Sequence, residues 1–182
     1  MAYRKTEKVL AQLEAKRAGL IAASIDVIEK HGLDGLTTDL VCERAGVAAG
    51  LLYRYFPDKT ELLAAVVAHW LERDLAAMKE ASNTDGMRGA VSALCARWVI
   101  NYRIVSQIGR FPAYREGIRR EFARLIRATE AAEPAAILAA AAYGALFEGA
   151  GHIRPRDEPA LCAAVLRACG VKVAGKVGAD VR

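Results

Sequence analysis

Residues 45–59 read AGVAAGLLYRYFPDK. Leu52, Tyr53 and Phe56 are spaced like one face of a helix, while glycines before them and Pro57 after them leave that helix about two turns long. A helix this short is unstable in water by itself, because nucleation costs more than two turns of hydrogen bonds return. The rest of the chain must therefore supply a scaffold that holds it.

That scaffold is legible on both sides. Upstream, a long amphipathic helix is expected from about Thr6 to His31. Ile21, Ile25 and Ile28 recur at steps of four and three, flanked by Leu20 and Val27, with Lys16, Arg17, Asp26, Glu29 and Lys30 opposite. HGLDGLTT ends it, with Gly32 suited to the left-handed position after the last turn. Thr37 or Thr38 can cap a second short helix, TDLVCERAG, which Asp39 favours electrostatically and Gly46 stops. Downstream, Pro57 opens another long helix, with Leu62 and Val66 on one side, that ends near SNTDG. Two short helices joined by a glycine turn and buttressed by long ones form a helix-turn-helix. Its second helix can be brief because it has only to enter the major groove of DNA, about 12 Å wide, and read a few base edges. Val47, Leu52 and Phe56 anchor it to the core.

Composition agrees with an all-α chain. Of 182 residues, 54% are hydrophobic, five are proline, and long β-branched alternations are missing. The charged opening MAYRKTEKVLAQLEAKR has no apolar signal-peptide region. The longest apolar run, Ala135 to Phe147, would rise only about 20 Å as a helix against a hydrocarbon core of about 30 Å, so a buried helix is expected rather than a membrane span. A cytoplasmic location follows as an expectation. Of the four cysteines, Cys162 and Cys169 share one helix at roughly 10 Å, beyond the ~7 Å that a disulfide spans. With no C-x-x-C or Cys/His cluster, Cys42, Cys95, Cys162 and Cys169 read as small buried hydrophobes in a reducing compartment, and neither metal nor cofactor is expected.

The pattern Gly35, Thr37, Thr38, Val41, Ala45-Gly46-Val47, Gly50, Leu52-Tyr53, Tyr55-Phe56 and Lys59, in register over roughly residues 16 to 65, resembles the tetracycline-repressor (TetR) family of bacterial transcriptional regulators. The remaining two-thirds matches only in being helical and of similar length. The resemblance implies a DNA-binding domain at 1–60, with a basic leader, and a helical effector-binding and dimerisation domain at 61–182, about nine helices in all. It implies phosphate contacts from Thr37 and Thr38 at the start of the second helix, groove- or phosphate-facing roles for Tyr53 and Tyr55, and a backbone contact from Lys59. Hydroxyls, lysines and helix N-termini are the usual phosphate partners.

One departure matters. Family members often carry serine or threonine where this chain has Ala48, and polar residues near Ala49 and Leu51. With Gly50 between them, the groove-facing start of the reading helix offers mainly methyl contacts to thymine. Arg54, Arg44 and Asp39 remain as polar candidates, each either a base contact or a solvated or phosphate-facing side chain. Residues 1–59 hold nine basic and eight acidic side chains, so placement rather than excess charge counts. Arg4, Lys5 and Lys8 form either an arm that reaches phosphate or the minor groove, or a frayed, solvated end.

The basic excess lies further on. Arginines 97, 103, 110, 115, 119, 120, 124 and 127 face only Glu116 and Glu121. They read either as the solvated face of amphipathic helices, with Ile118, Phe122, Leu125 and Ile126 turned inward, or as the entrance to a pocket for an anionic effector. The resemblance places a small-molecule effector pocket in this domain, near Trp98, Tyr102, Phe111 and Tyr114. It also implies a homodimer through the last two helices, AAILAAAAYGALFEGAG and EPALCAAVLRACG, with Ala141, Ala145, Leu161 and Val165 at the seam. A two-fold dimer matches a pseudo-palindromic operator.

An enzyme is argued against by the lack of a phosphate loop, G-x-S-x-G or H-E-x-x-H motif, and by three histidines without evident partners. The expected function is a DNA-binding transcriptional regulator, a repressor released by an effector. An effector-independent or architectural DNA-binding protein, or an activator, is the alternative.

Overall fold

The computed structural model describes residues 2–129, 134–150 and 158–173. Among them the chain is all-α, with eight helices: α1 (Ala2–His31), α2 (Thr38–Ala45), α3 (Ala49–Tyr55), α4 (Lys59–Ile100), α5 (Tyr102–Ile108), α6 (Pro112–Arg127), α7 (Ala135–Ala150) and α8 (Glu158–Ala168). The tail beyond Val173 lies outside the described residues. Two compact units divide at Trp70/Leu71, inside α4.

α1 begins at Ala2 rather than near Thr6, so the basic leader continues the helix instead of forming a separate arm. Its apolar stripe is buried as the spacing predicts, with Leu20, Ile21, Ile25, Val27 and Ile28 almost wholly covered. Leu36, Val41, Leu52, Phe56, Leu62 and Val66 complete the core of the first unit. Burying one such side chain contributes about 1.5–3 kcal/mol, far more than the intrinsic helix propensity of α2 or α3 supplies.

The local stops are those that the glycines and caps dictate. Thr37 is the N-cap of α2, its Oγ1 accepting a hydrogen bond from the Leu40 amide at 3.3 Å. Gly46 ends α2 at φ 66°, ψ 37°, and the Val47 amide donates back to the Cys42 carbonyl at 3.0 Å. A Cβ at this left-handed position would be strained, which is why glycine makes the turn into α3. Asp58 caps α4, accepting from the Glu61 amide at 2.8 Å.

α4 is broken near SNTDG, where the sequence places the end of its first helical segment. It continues to Ile100 across a kink at Asp85 (φ −132°, ψ 28°) and Gly86 (φ 51°, ψ −133°). Gly86 adopts a backbone conformation closed to side-chain-bearing residues, so SNTDG ends one helical segment and a second begins after it. The helix ends at Ile100 and breaks at Asn101, whose side-chain amide donates to the Arg97 carbonyl at 2.8 Å.

In the second unit, α6 is strongly amphipathic. Tyr114, Ile118, Phe122, Leu125 and Ile126 are inside, while Arg115, Arg120, Arg124 and Arg127 are outside. α6 and α7 pack together, as do α7 and α8.

α3 lacks the side-chain cap that α2 has. Ala48 holds N-cap geometry (φ −74°, ψ 148°) with no oxygen to accept a hydrogen bond. Ala48→Ser should therefore stabilise the chain by about 0.5–1 kcal/mol. Chemical denaturation of the two proteins checks it, and an unchanged or lower midpoint refutes the capping argument.

Candidate nucleic-acid interface

On α3, burial separates anchor from reading face. Leu52 and the C-cap Phe56 are 1% and 2% exposed. Ala48, Ala49, Gly50, Tyr53 and Arg54 are exposed, and Leu51 and Tyr55 are half-buried. Tyr53 stands 49% exposed, so it is not a core aromatic. Among the described residues no ion pair involves Arg54, which leaves its guanidinium available to a ligand. Thr37 is exposed and Thr38 half-buried, both at the N-terminus of α2, where amide groups and the helix dipole favour an anion. Lys59 is exposed at the first residue of α4. A cation there opposes the helix dipole, so the fold gains nothing from this lysine, whereas a phosphate between it and the helix start would.

Two basic residues are committed within the protein. Arg44 of α2, 53% exposed, forms an ion pair with Asp26 of α1 that ties the two helices together. Arg17 lies over the Phe56 ring, 5.0 Å from its centroid, at the point where α3 ends. That contact braces the reading helix, and such cation–π pairs contribute about 0.5–1 kcal/mol at exposed sites.

The second unit brings together only part of the expected effector set. Trp98 and Tyr114 are fully buried neighbours, with ring centroids 6.0 Å apart and the indole Nε1 donating to the tyrosine Oη at 2.9 Å. Tyr102, by contrast, is 38% exposed on the first turn of α5, and Phe111 is half-buried at the N-cap of α6. Tyr102 therefore belongs to the surface: the break at Asn101 rotates it out of the register that an unbroken helix would give.

The sequence reading missed the rest of this cluster. Tyr143 and Phe147 of α7 lie edge-on to Trp98 at 6.1 and 6.2 Å, and the Tyr143 hydroxyl donates to the Gly109 carbonyl at 2.5 Å. Asp74 of α4 is fully buried. The Tyr114 hydroxyl donates to its Oδ2, and Arg97 Nε donates to its Oδ1 at 2.5 Å. Burial, reinforced by the neighbouring Asp74 carboxylate, pushes the Tyr114 phenol well above its ordinary range, so it remains a donor. The signal was present: Asp74 stands between Trp70 and Met78, at four-residue steps on an otherwise apolar face of α4. Arg97, counted with the surface arginines, is correspondingly the one that turns inward. An open cleft of about 460 Å³ in the same unit is lined by Leu75, Lys79, Asn83 and Arg124 among others, and by none of the four expected aromatics.

The dimer residues also divide. Ala141 is exposed and Ala145 half-buried on α7. Leu161 and Val165 are 1% and 0% exposed within the single chain, which corrects their assignment to the seam. They are the stripe by which α8 packs into its own unit, and Ala160, Ala163 and Ala164 turn outward instead.

The geometry defines a helix-turn-helix reading head joined through α4 to a helical unit with a buried polar-aromatic core. Residues 20–66 match the family model described as bacterial regulatory proteins, tetR family. A BetI transcriptional regulator from Burkholderia thailandensis is 38% identical over 90 residues, covering 48% of this chain and 46% of that protein. One from Paraburkholderia phytofirmans is 42% identical over 66 residues, covering 36% and 33%. The matched region thus spans about half or less of these curated relatives. A transcriptional regulator from Rhodococcus sp. shares the fold at TM-score 0.68 and 21% identity, over 87% of this chain and 99% of that one. A TetR-family regulator from Pectobacterium atrosepticum is 26% identical at TM-score 0.63, over 88% and 93%. RolR, solved with resorcinol, gives 0.62 at 21% identity, over 90% and 91%. Residues 20–66 are thus similar to the DNA-binding region of TetR-family bacterial regulators, and the fold of the chain is shared with solved regulators of that kind. These relatives and neighbours are regulators rather than enzymes.

Tyr114→Phe keeps the ring but strands Asp74 Oδ2 and the Trp98 indole without their shared partner. It should destabilise the chain by about 1–3 kcal/mol. Denaturant unfolding checks this, and a neutral result would mean that water replaces the hydroxyl.

Proposed function

We propose that the chain is a homodimeric repressor that binds a pseudo-palindromic operator through α3 and is released by a small-molecule effector bound in the second unit. The observation that carries the reading is the split on α3: Leu52 and Phe56 are locked inside while Tyr53 and Arg54 stand exposed beside an apolar, methyl-bearing start. Thr37, Thr38, Tyr53, Tyr55 and Lys59 hold phosphates, Ala48, Ala49, Gly50 and Leu51 meet the groove floor, and Arg54 supplies the hydrogen-bonded readout. Arg44 acts indirectly, by fixing α2 against α1.

For the effector, the Asp74–Tyr114–Trp98 network is the polar element to which a hydroxyl- or carbonyl-bearing ligand would respond. RolR's complex with resorcinol, an aromatic diol, makes that class a reasonable first screen. The dimer seam is the outward face of α7, Ile137, Ala141 and Ala145, with the alanines of α8. Ile137 is 61% exposed in the single chain, and small residues beside it let a second helix approach closely.

Operator selection from randomised duplexes tests the DNA reading. Arg54→Ala should relax preference at one guanine per half-site, worth about 1–3 kcal/mol, with nonspecific affinity nearly unchanged. Lys59→Ala should weaken all sequences alike and lower the salt slope by about one. An unaltered motif for Arg54→Ala assigns that side chain to the backbone or the surface. For the seam, Ile137→Arg with Ala141→Arg should give a helical monomer by light scattering and circular dichroism. A retained dimer mass refutes this face.

A further inference from the structure

Arg97 Nη2 is buried, and among the described residues nothing accepts a hydrogen bond from it. The surroundings of the guanidinium are otherwise fixed. Its Nε donates to Asp74 Oδ1 at 2.5 Å, the second carboxylate oxygen accepts from the Tyr114 hydroxyl, and Trp98 Nε1 donates to that hydroxyl at 2.9 Å. Asp74, Trp98 and Tyr114 are almost wholly covered, whereas the Arg97 side chain is 24% exposed. The network is thus closed at the tyrosine end and reachable at the arginine end, where an unmatched donor lies. A buried donor left unpaired costs the desolvation of that group, so the arrangement favours a molecule that brings an acceptor.

Charge decides which acceptor. Arginine is always cationic, but Asp74 already supplies its counter-charge. A carboxylate ligand would leave this site with a net negative charge, which a low-dielectric interior penalises. A ketone, amide or ester oxygen satisfies Nη2 without adding one. Of the other arginines in which the sequence allowed an anion site, Arg103, Arg110, Arg115, Arg120, Arg124 and Arg127 are exposed, and Arg119 pairs with Glu116 at 2.8 Å.

We infer that Arg97 is the recognition donor of the effector site, and that the site takes an uncharged ligand with a carbonyl oxygen rather than a carboxylate. This rests on the reading of the second unit as effector-binding. The carbonyl oxygen accepts from Nη2 while Nε keeps its bond to Asp74. Asp74 and Arg97 lie on opposite sides of the α4 kink at Asp85 and Gly86, so such a ligand is linked to both arms of α4 and, through Tyr114, to α6.

The test is nuclear magnetic resonance of the full chain carrying isotope-labelled arginine. The Arg97 Nε–H resonance, identified by its loss in Arg97→Lys, is followed as acetophenone, benzoate, cyclohexanone and cyclohexanecarboxylate are titrated. Both ketones should shift that resonance saturably and bind about tenfold or more tightly than the matching carboxylates. Arg97→Lys keeps a cation beside Asp74 but lacks the second nitrogen, and should weaken ketone binding about three- to tenfold. Circular dichroism checks the fold of that variant, and the wild-type titrations decide by themselves where it fails. An Arg97 resonance that neither ketone moves assigns Nη2 to water and overturns the inference. Equal or tighter carboxylate binding, or unchanged ketone affinity in folded Arg97→Lys, overturns it as well. Ketones that shift Arg97 without releasing operator DNA support this site and refute release through it. Release by a compound that leaves Arg97 unmoved keeps the repressor reading and overturns this inference alone.

Discussion

A seven-residue helix cannot hold itself in water, and nearly everything in the first unit follows from the need to hold α3 while leaving one side of it bare. Nucleation is unfavourable and two turns return too few hydrogen bonds to offset it. The missing stability comes from Leu52 and Phe56, both buried in the core of the first unit, and from hard stops on either side. Gly46 turns the chain into α3 without strain, and Asp58 starts α4 three residues after α3 ends. The pair of anchors sets the rotation of α3, so Tyr53 and Arg54 face out because Leu52 and Phe56 face in. Which side chains α3 presents outward is thus a by-product of a packing constraint.

The second unit solves a different problem, a carboxylate with no access to water. Burying Asp74 uncompensated would cost several kcal/mol, so it must be matched by donors. Arg97, one helical face away on the continuation of α4, neutralises it, and Tyr114 from α6 satisfies its second oxygen. Trp98 then donates to the same tyrosine, and its ring is walled by Tyr143 and Phe147 from α7. One charge placed on an apolar stripe thereby specifies contacts among three helices. Apolar packing of similar volume would give comparable stability with less discrimination between registers, and the polar chain leaves a group that a competing hydroxyl or carbonyl can disturb.

What could be read from the sequence tracks the range of the interactions. The short helices, their caps and the inward pair on α3 are set by neighbours within four or five residues, and those positions were legible. Local breakers were legible too: Gly86 separates two helical segments of α4 and Gly46 ends α2, both at positive φ. Asp74 was overlooked because a single acid on a helix looks like a surface residue until its partners, 23 and 40 residues away, are in place. The ion pair of Arg44 with Asp26, 18 residues earlier on another helix, is announced by no pattern in either helix.

The last two helices carry the most general of these lessons. Periodicity says which residues leave water but not whose surface covers them. On α8, Leu161 and Val165 are the larger side chains at four-residue spacing, and the chain uses them first for its own core, since each contributes more when buried than an alanine does. In the proposed dimer, what would remain for a second copy is the residue set that its own unit leaves uncovered, Ile137 and Ala141 on α7 and the small residues of α8. A seam built from such leftovers is shallow, so helix backbones must approach closely for it to bury enough area. That requirement explains why alanine and glycine crowd this stretch: a larger residue turned outward would hold the partner helix away, and one turned inward would compete with Tyr143 and Leu146 for space already filled.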